Sequence, residues 1–132
     1  MKEVTEEWLR AAADDLRVNE NIASDEHLTH MVAFHSQQCI EKCLKALIEE
    51  HEIRSARIHN LERLFEIVRD HVHVDLDPAL IETLDKLYLD ARYPGDLGLL
   101  PEGRPTLAHA ANFHMFAKSV YESIKADLES KK

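Results

Sequence analysis

Apolar residues recur every three or four positions along most of this chain, which is the spacing of amphipathic helices rather than strands. We expect a first helix to begin after Thr5, whose hydroxyl is suited to capping it. Asp15 lies on the apolar face of this helix, so its carboxylate either stays in water at the edge or needs a partner. That face comprises Trp8, Leu9, Ala12, Leu16 and Ala23.

A second helix is predicted from about His27 to His51, and it is apolar over most of its circumference. Such a helix is usually central in a fold or covered by a partner. A narrow polar stripe interrupts the apolar arc. Two interpretations of this stripe stay open: a solvated face with a Glu41–Lys45 pair, or a groove or seam between helices. Its members are Gln38, Glu41, Lys42 and Lys45.

The remaining segments predict three further helices. The fourth ends near Arg92 because Pro94 disfavours helical geometry in the residue before it, and a Pro/Gly-rich loop follows over residues 94–105. These elements indicate an all-α fold, an antiparallel bundle of about five helices in one domain spanning residues 1–132. Capping signals mark the three starts at Asn60, at Asp77 followed by Pro78, and at Thr106.

Composition agrees with helices, because 45% of the residues are apolar and only three of the 132 are glycine. The net charge of −9 makes the free chain a poor non-specific binder of nucleic acid. Residues 1–26 carry three basic and eight acidic side chains, so any anion site is expected away from the first helix. With no long apolar run and no apolar segment near Met1, we expect a cytoplasmic protein that does not enter a membrane.

The two cysteines, Cys39 and Cys43, are four residues apart on one helix, and we expect them to be buried thiols. His35 extends the same row. The helical rise separates His35 from Cys43 by roughly 12 Å, so the three side chains cannot share one zinc ion. No phosphate-binding glycine loop occurs either, and neither a metal nor a cofactor is expected.

A phosphate site is still chemically possible. Lys42, Lys45 and Arg92 would supply positive charge, and Tyr93 would supply a ring for stacking. The alternative is structural: Arg92 pairs with Glu41 or Asp15 and holds two helices together. The first alternative predicts an open groove, and the second predicts a closed seam.

Four segments together resemble the HEPN family. The longest runs Phe34-His35-Ser36-Gln37-Gln38-Cys39-Ile40-Glu41-Lys42-Cys43-Leu44-Lys45-Ala46-Leu47-Ile48, similar to the pattern F-x-x-Q-Q-x-x-E-K-x-L-K-A-L. The resemblance implies a helical bundle that pairs into homodimers, often beside a minimal nucleotidyltransferase. Many such proteins act as ribonuclease toxins, and others are nucleotide-binding accessory proteins. The other three segments are Trp8 with Asp15-Leu16, His59-Asn60-Leu61, and Asp90-Ala91-Arg92-Tyr93-Pro94.

The chain departs from the family's ribonuclease motif, R-x4–6-H at the end of the fourth helix. After Arg92 the matching positions hold Leu97, Gly98 and Leu99, so the family's acid/base histidine is missing. One literal R-x4-H, Arg54 to His59, lies outside the usual place. We therefore expect no confident catalytic residue, with Arg92 the candidate if the protein is active. Asp15, Gln38, Glu41 and His59 are expected to be structural or orienting.

Overall fold

The computed structural model describes residues 1–55, 57–92 and 104–130, with residues 90–92 described by their backbone alone. Within this part of the chain the fold is all-α and contains no strand, as predicted. A short 3-10 turn at Arg69–His71 follows the third helix. The helices are α1 (Glu3–Ile22), α2 (Thr29–Glu50), α3 (Leu61–Val68), α4 (Pro78–Arg92) and α5 (Leu107–Ser130).

The three later helices begin at the capping residues that the sequence indicated. In each case a side-chain oxygen accepts a hydrogen bond from a backbone N–H in the first turn, which would otherwise lack a partner. Local sequence therefore determines where these helices start. The bonds run from Arg63 to Asn60, from Ala79 and Leu80 to Asp77, and from His109 to Thr106.

The predicted start of α1 is wrong, because Thr5 does not cap it. The helix begins at Glu3, and the buried Thr5 hydroxyl donates instead to Oε1 of Glu50, at 2.9 Å. The backbone N–H of Lys2 donates to the same oxygen at 2.9 Å. This backbone hydrogen bond is the main cause that lowers the pKa of Glu50. A carboxylate at the end of α2 thus holds the start of α1.

Helix α1 runs antiparallel to α2. The contacts between them join Thr5 to Glu50 near one end and Asn19 to Ser36 near the other. On another side of α2, Phe34 stacks on Tyr88 of α4 with ring centroids 5.7 Å apart. The core draws on all five helices and has the side chains of α2 at its centre.

The central position of α2 agrees with its broad apolar arc. Every residue from Thr29 to Ile48 is buried or half-buried, because α1, α3, α4 and α5 all pack against this helix. The arc is therefore covered within one chain, and its width gives no reason to invoke a second copy. That the chain forms one domain over residues 1–132 stays a prediction.

Truncation of a central α2 side chain should reveal how much this packing contributes. Leu44 is fully buried, so we predict that Leu44→Ala lowers the free energy of unfolding by about 2–5 kcal/mol. Chemical denaturation followed by circular dichroism measures the loss. Met115→Ala is the control, since Met115 is 67% exposed and its truncation should cost less than about 0.5 kcal/mol. A loss below about 0.5 kcal/mol for Leu44→Ala contradicts the central position of α2.

Candidate functional site

The polar stripe of α2, formed by Gln38, Glu41, Lys42 and Lys45, lies in a seam between helices. Glu41 is only 4% exposed, and the other three side chains are half-buried. The interpretation as a solvated face is therefore wrong for Glu41, although the Glu41–Lys45 pair that it included is present at 3.0 Å. Because a buried carboxylate is costly without compensation, Glu41 must find its partners within the protein.

Asp15 of α1 faces the stripe, and its carboxylate contacts two side chains of α2. One carboxylate oxygen accepts a hydrogen bond from Nζ of Lys42 at 2.7 Å, and the other lies 2.8 Å from Nδ1 of His35. The Asp15 side chain is 8% exposed, whereas Lys42 is 25% exposed. The Asp15 carboxylate is thus paired within the protein rather than exposed to solvent, and it joins α1 to α2.

Glu41 forms the second group on the same stripe. Its Oε2 accepts from Nζ of Lys45 at 3.0 Å and lies 3.2 Å from Nδ1 of His59. Oε1 accepts from Nε2 of Gln37 at 3.3 Å. Lys45 also lies over the ring of Trp8, 5.5 Å from its centroid, which is a cation–π contact. Glu41 therefore connects α2 to the segment before α3.

Each lysine of the stripe is paired with a buried carboxylate. Lys42 is neutralised by Asp15 and Lys45 by Glu41, and both carboxylates are more deeply buried than their lysines. In the described part of the chain these two lysines therefore leave no uncompensated cation for a phosphate. The predicted anion site at Lys42 and Lys45 stays a prediction, and it requires positive charge from elsewhere.

Gln38 and Gln37 orient the second group. The side-chain amide of Gln38 donates to Oε1 of Gln37 at 2.8 Å, and the amide of Gln37 donates to the backbone oxygen of His59 at 2.9 Å. Gln37 is fully buried. From the sequence, Gln37 had no predicted role of its own and was only a member of the longest family segment. The sequence feature that could have revealed its role is that Gln37 is a polar residue on an otherwise apolar face of α2.

Aromatic rings join the two carboxylate groups to α4. The Phe34 ring meets the His35 ring edge-on at 5.3 Å between centroids, and it stacks on Tyr88 at 5.7 Å. The Tyr88 ring in turn lies 6.4 Å from that of His59. The α4 helix ends at Arg92, one helical turn beyond Tyr88. The predicted contacts of the Arg92 side chain, and Tyr93 itself, lie outside the described residues.

Asp85 of α4 is a buried carboxylate that sequence reasoning missed. It accepts hydrogen bonds from the backbone N–H groups of Leu61 at 2.9 Å and Glu62 at 3.3 Å, so it completes the start of α3. Burial raises the pKa of Asp85, and the two backbone hydrogen bonds oppose that effect. The sequence feature that could have revealed Asp85 is its place directly after Leu84 and one helical turn after Ile81, both apolar.

A neutral polar contact lies beside His35. The amide of Asn19 donates to the Ser36 hydroxyl at 3.1 Å and lies 3.3 Å from Nδ1 of His114 on α5. Burial lowers the pKa of His114, which favours its neutral form as an acceptor from Asn19. This contact ties α1, α2 and α5 together without using charge.

The two cysteines are free and buried, as expected. Burial is the main cause that raises the pKa of Cys43, with a smaller contribution from its hydrogen bond to Cys39. A thiol with a raised pKa is a poor nucleophile at neutral pH. Across residues 1–55, 57–92 and 104–130, no group of three metal-binding side chains is found.

Comparison with known proteins identifies the family and the fold of this chain. The HEPN domain family matches residues 5–127, which is nearly the whole chain. This chain belongs to the HEPN family. Its fold is similar to the crystal structure of ST0689, an archaeal HEPN homologue, with a TM-score of 0.66 and 29% identity over 96% of this chain and 98% of that one. A search of curated proteins gives no match.

The literal R-x4-H pair of this HEPN chain is divided between two places. His59 is held by Glu41, whereas Arg54 lines a surface groove with Lys2 and Glu49. Glu49 lies two helical turns beyond Glu41, roughly 12 Å along α2. Thus His59 lies at the polar stripe, whereas Arg54 lies near the C-terminal end of α2.

Among the described residues, no helix combines the length and the hydropathy that a membrane-spanning segment needs.

The Asp15–Lys42 pair is predicted to contribute more than a surface pair. In a double-mutant cycle of Asp15→Asn and Lys42→Met, we expect a coupling free energy above about 1 kcal/mol, because Asp15 is shielded from water. The cycle is measured by urea denaturation. The control pair is Lys125–Glu129, which is about half exposed and should couple by less than about 0.5 kcal/mol. Equal coupling free energies in the two cycles would show that burial does not strengthen the Asp15–Lys42 pair.

Proposed function

We propose that this HEPN chain forms a homodimer and acts as the accessory subunit of a minimal nucleotidyltransferase, within a cytoplasmic two-gene module of toxin–antitoxin type. In this role the polar stripe of α2 contributes to binding a nucleotide or RNA in the assembled complex. Lys42 and Lys45, with Arg92 and Tyr93, are the residues assigned to that binding. No metal and no cofactor take part in it.

One observation carries the accessory role: both lysines of the stripe are already paired with buried carboxylates. A phosphate approaching an isolated chain meets two neutralised groups rather than two free cations. Useful affinity therefore needs additional positive charge, supplied by Arg92 and by the second copy or the partner subunit. This requirement favours an assembly role over a stand-alone nucleotide-binding module.

The dimer rests on family membership and on one exposed side chain. HEPN domains commonly dimerise. Leu89 of α4 is 54% exposed although it directly follows the buried Tyr88. An isologous contact through this end of α4 would cover Leu89 and bring two polar stripes near each other.

Sedimentation velocity at micromolar concentration tests the dimer. We predict a species of twice the 15.2 kDa chain mass. Leu89→Asp should shift the equilibrium toward the monomer by placing a charge in the contact, whereas Met115→Asp on α5 should not. A clean 15.2 kDa species for the unaltered chain contradicts the proposal.

The partner assignment is tested with the adjacent open reading frame. If that frame encodes a minimal nucleotidyltransferase, the two proteins should co-purify when expressed together. ATP should then bind the complex more tightly than it binds either purified protein, as measured by calorimetry. Tight ATP binding by the isolated HEPN chain would favour the stand-alone module instead.

A second candidate function is a metal-independent ribonuclease that uses Arg92. The observation that favours it is the Glu41–His59 contact, since a carboxylate beside one ring nitrogen orients the imidazole and its tautomer. The His59 side chain is 48% exposed and therefore accessible. It could supply the acid/base group that is missing after Arg92.

We nevertheless predict little or no RNA cleavage by the purified chain. Acid/base assistance contributes about 10²–10⁴-fold to such reactions, and the family histidine after Arg92 is absent. Gel analysis of a labelled RNA, with Arg92→Ala and His59→Ala as comparisons, measures this. Robust cleavage that both substitutions abolish establishes the ribonuclease and overturns the prediction. Cleavage that both variants retain indicates a contaminating nuclease.

A further inference from the structure

A surface groove lies between α3, the segment that follows it and the first turn of α4. We call it the α3–α4 groove, and its volume is about 440 Å³. This volume lies within the ~300–1,000 Å³ range of binding pockets in proteins. Its lining residues are Glu62, Phe65, Glu66, Arg69, Val72, Leu76, Pro78, Ile81 and Glu82.

The floor of the α3–α4 groove is apolar and rigidly supported. Phe65 of α3 and Ile81 of α4 are 5% and 6% exposed and belong to the core. Because each lies on a helix, the floor is formed before any partner arrives. A preformed apolar floor lowers the ordering cost of binding.

The segment between the 3-10 turn and α4 leaves one apolar side chain without cover. Its sequence alternates, with Val72, Val74 and Leu76 separated by polar residues. Val72 and Val74 pack against the core, whereas Leu76 is 43% exposed at the edge of the groove. Leu76 therefore continues the apolar pattern at a position that the described residues leave partly exposed.

The rim of the groove carries a net negative charge. Glu62, Glu66 and Glu82 lie around it and are all exposed, and Arg69 is the basic residue among the lining side chains. A second copy of this chain would place the same carboxylates opposite one another in an isologous contact, which is repulsive. A partner with basic side chains beside its apolar ones would match both the floor and the rim.

We propose that the α3–α4 groove binds a basic amphipathic helix of a partner protein. Its apolar residues, at helical spacing, insert between Leu76 and the floor, and its lysines or arginines contact the three glutamates. The groove shares no residue with the polar stripe of α2. The groove proposal therefore does not rest on the nucleotidyltransferase assignment, and either can fail without the other.

The test uses the full chain and a synthetic helical peptide with leucines on one face and lysines on the other. A matched peptide has glutamates in place of the lysines. Fluorescence anisotropy should show binding of the lysine peptide and at least about tenfold weaker binding of the glutamate peptide. Equal binding of both peptides would overturn the charge argument, and no binding of the lysine peptide would overturn the proposal.

Leu76→Asp separates groove binding from general attraction between an acidic protein and a cationic peptide. The substitution makes the rim more acidic, so general attraction would strengthen binding. Loss of the Leu76 contact should instead weaken binding by about tenfold. Unchanged or tighter binding by Leu76→Asp shows that the peptide is held by charge alone and overturns the proposal.

A matched pair of charge reversals locates the contact. Glu66→Lys on the rim should weaken binding of the lysine peptide by about fivefold. Glu122→Lys on α5 makes the same change of net charge away from the groove and should leave binding within about twofold. Equal effects of the two reversals contradict the proposed location. Both substitutions replace exposed side chains, and far-UV circular dichroism should show unaltered helicity.

Discussion

Asp15 and Glu41 are buried carboxylates at the polar stripe of α2, and their partners connect α1 and the segment before α3 to this helix. Removing Asp15 and Glu41 from water is costly unless each is paired, and the pairing groups come from different parts of the chain. Asp15 of α1 takes Lys42 and His35 of α2, while Glu41 takes Lys45 from its own helix and His59 from the segment before α3. Lys42, one of the two cations that could bind a ligand, thus also joins α1 to α2, and the other, Lys45, balances the carboxylate that contacts His59.

This double use favours the proposed accessory role of the HEPN chain over a stand-alone nucleotide-binding module. A lysine that balances a buried carboxylate is unavailable to a phosphate unless the ion pair breaks or another cation is placed beside it. The α3–α4 groove has the opposite character, because its acidic rim is exposed and its apolar floor is open to a partner. The described part of the chain therefore presents a neutralised polar seam on α2 and a separate acidic groove at α3 and α4.

Much of the fold follows from local sequence, whereas the site depends on tertiary contacts. The caps at Asn60, Asp77 and Thr106 are local, so they were predictable, as were the helical class and the central position of α2. The start of α1 was not, because Glu50 lies far away in sequence and takes the Thr5 hydroxyl that a local cap would have used. Periodicity placed Glu41 on a polar stripe, but it could not show that the stripe faces a seam. The spacing around His35 excluded a zinc site shared with the cysteines, but it could not reveal the partner Asp15, which lies on another helix.

If buried carboxylates neutralise the lysines of α2, removing both carboxylates should restore binding of an anion. Inorganic pyrophosphate should be titrated calorimetrically into the unaltered chain and into the Asp15→Asn/Glu41→Gln variant. The control is Asp14→Asn/Glu49→Gln, which makes the same change of net charge at two exposed acids. We expect weak binding by the unaltered chain and the control, and binding about tenfold tighter by the Asp15→Asn/Glu41→Gln variant, because Lys42 and Lys45 are released. Equal affinity in all three proteins would show that the buried carboxylates do not neutralise these lysines.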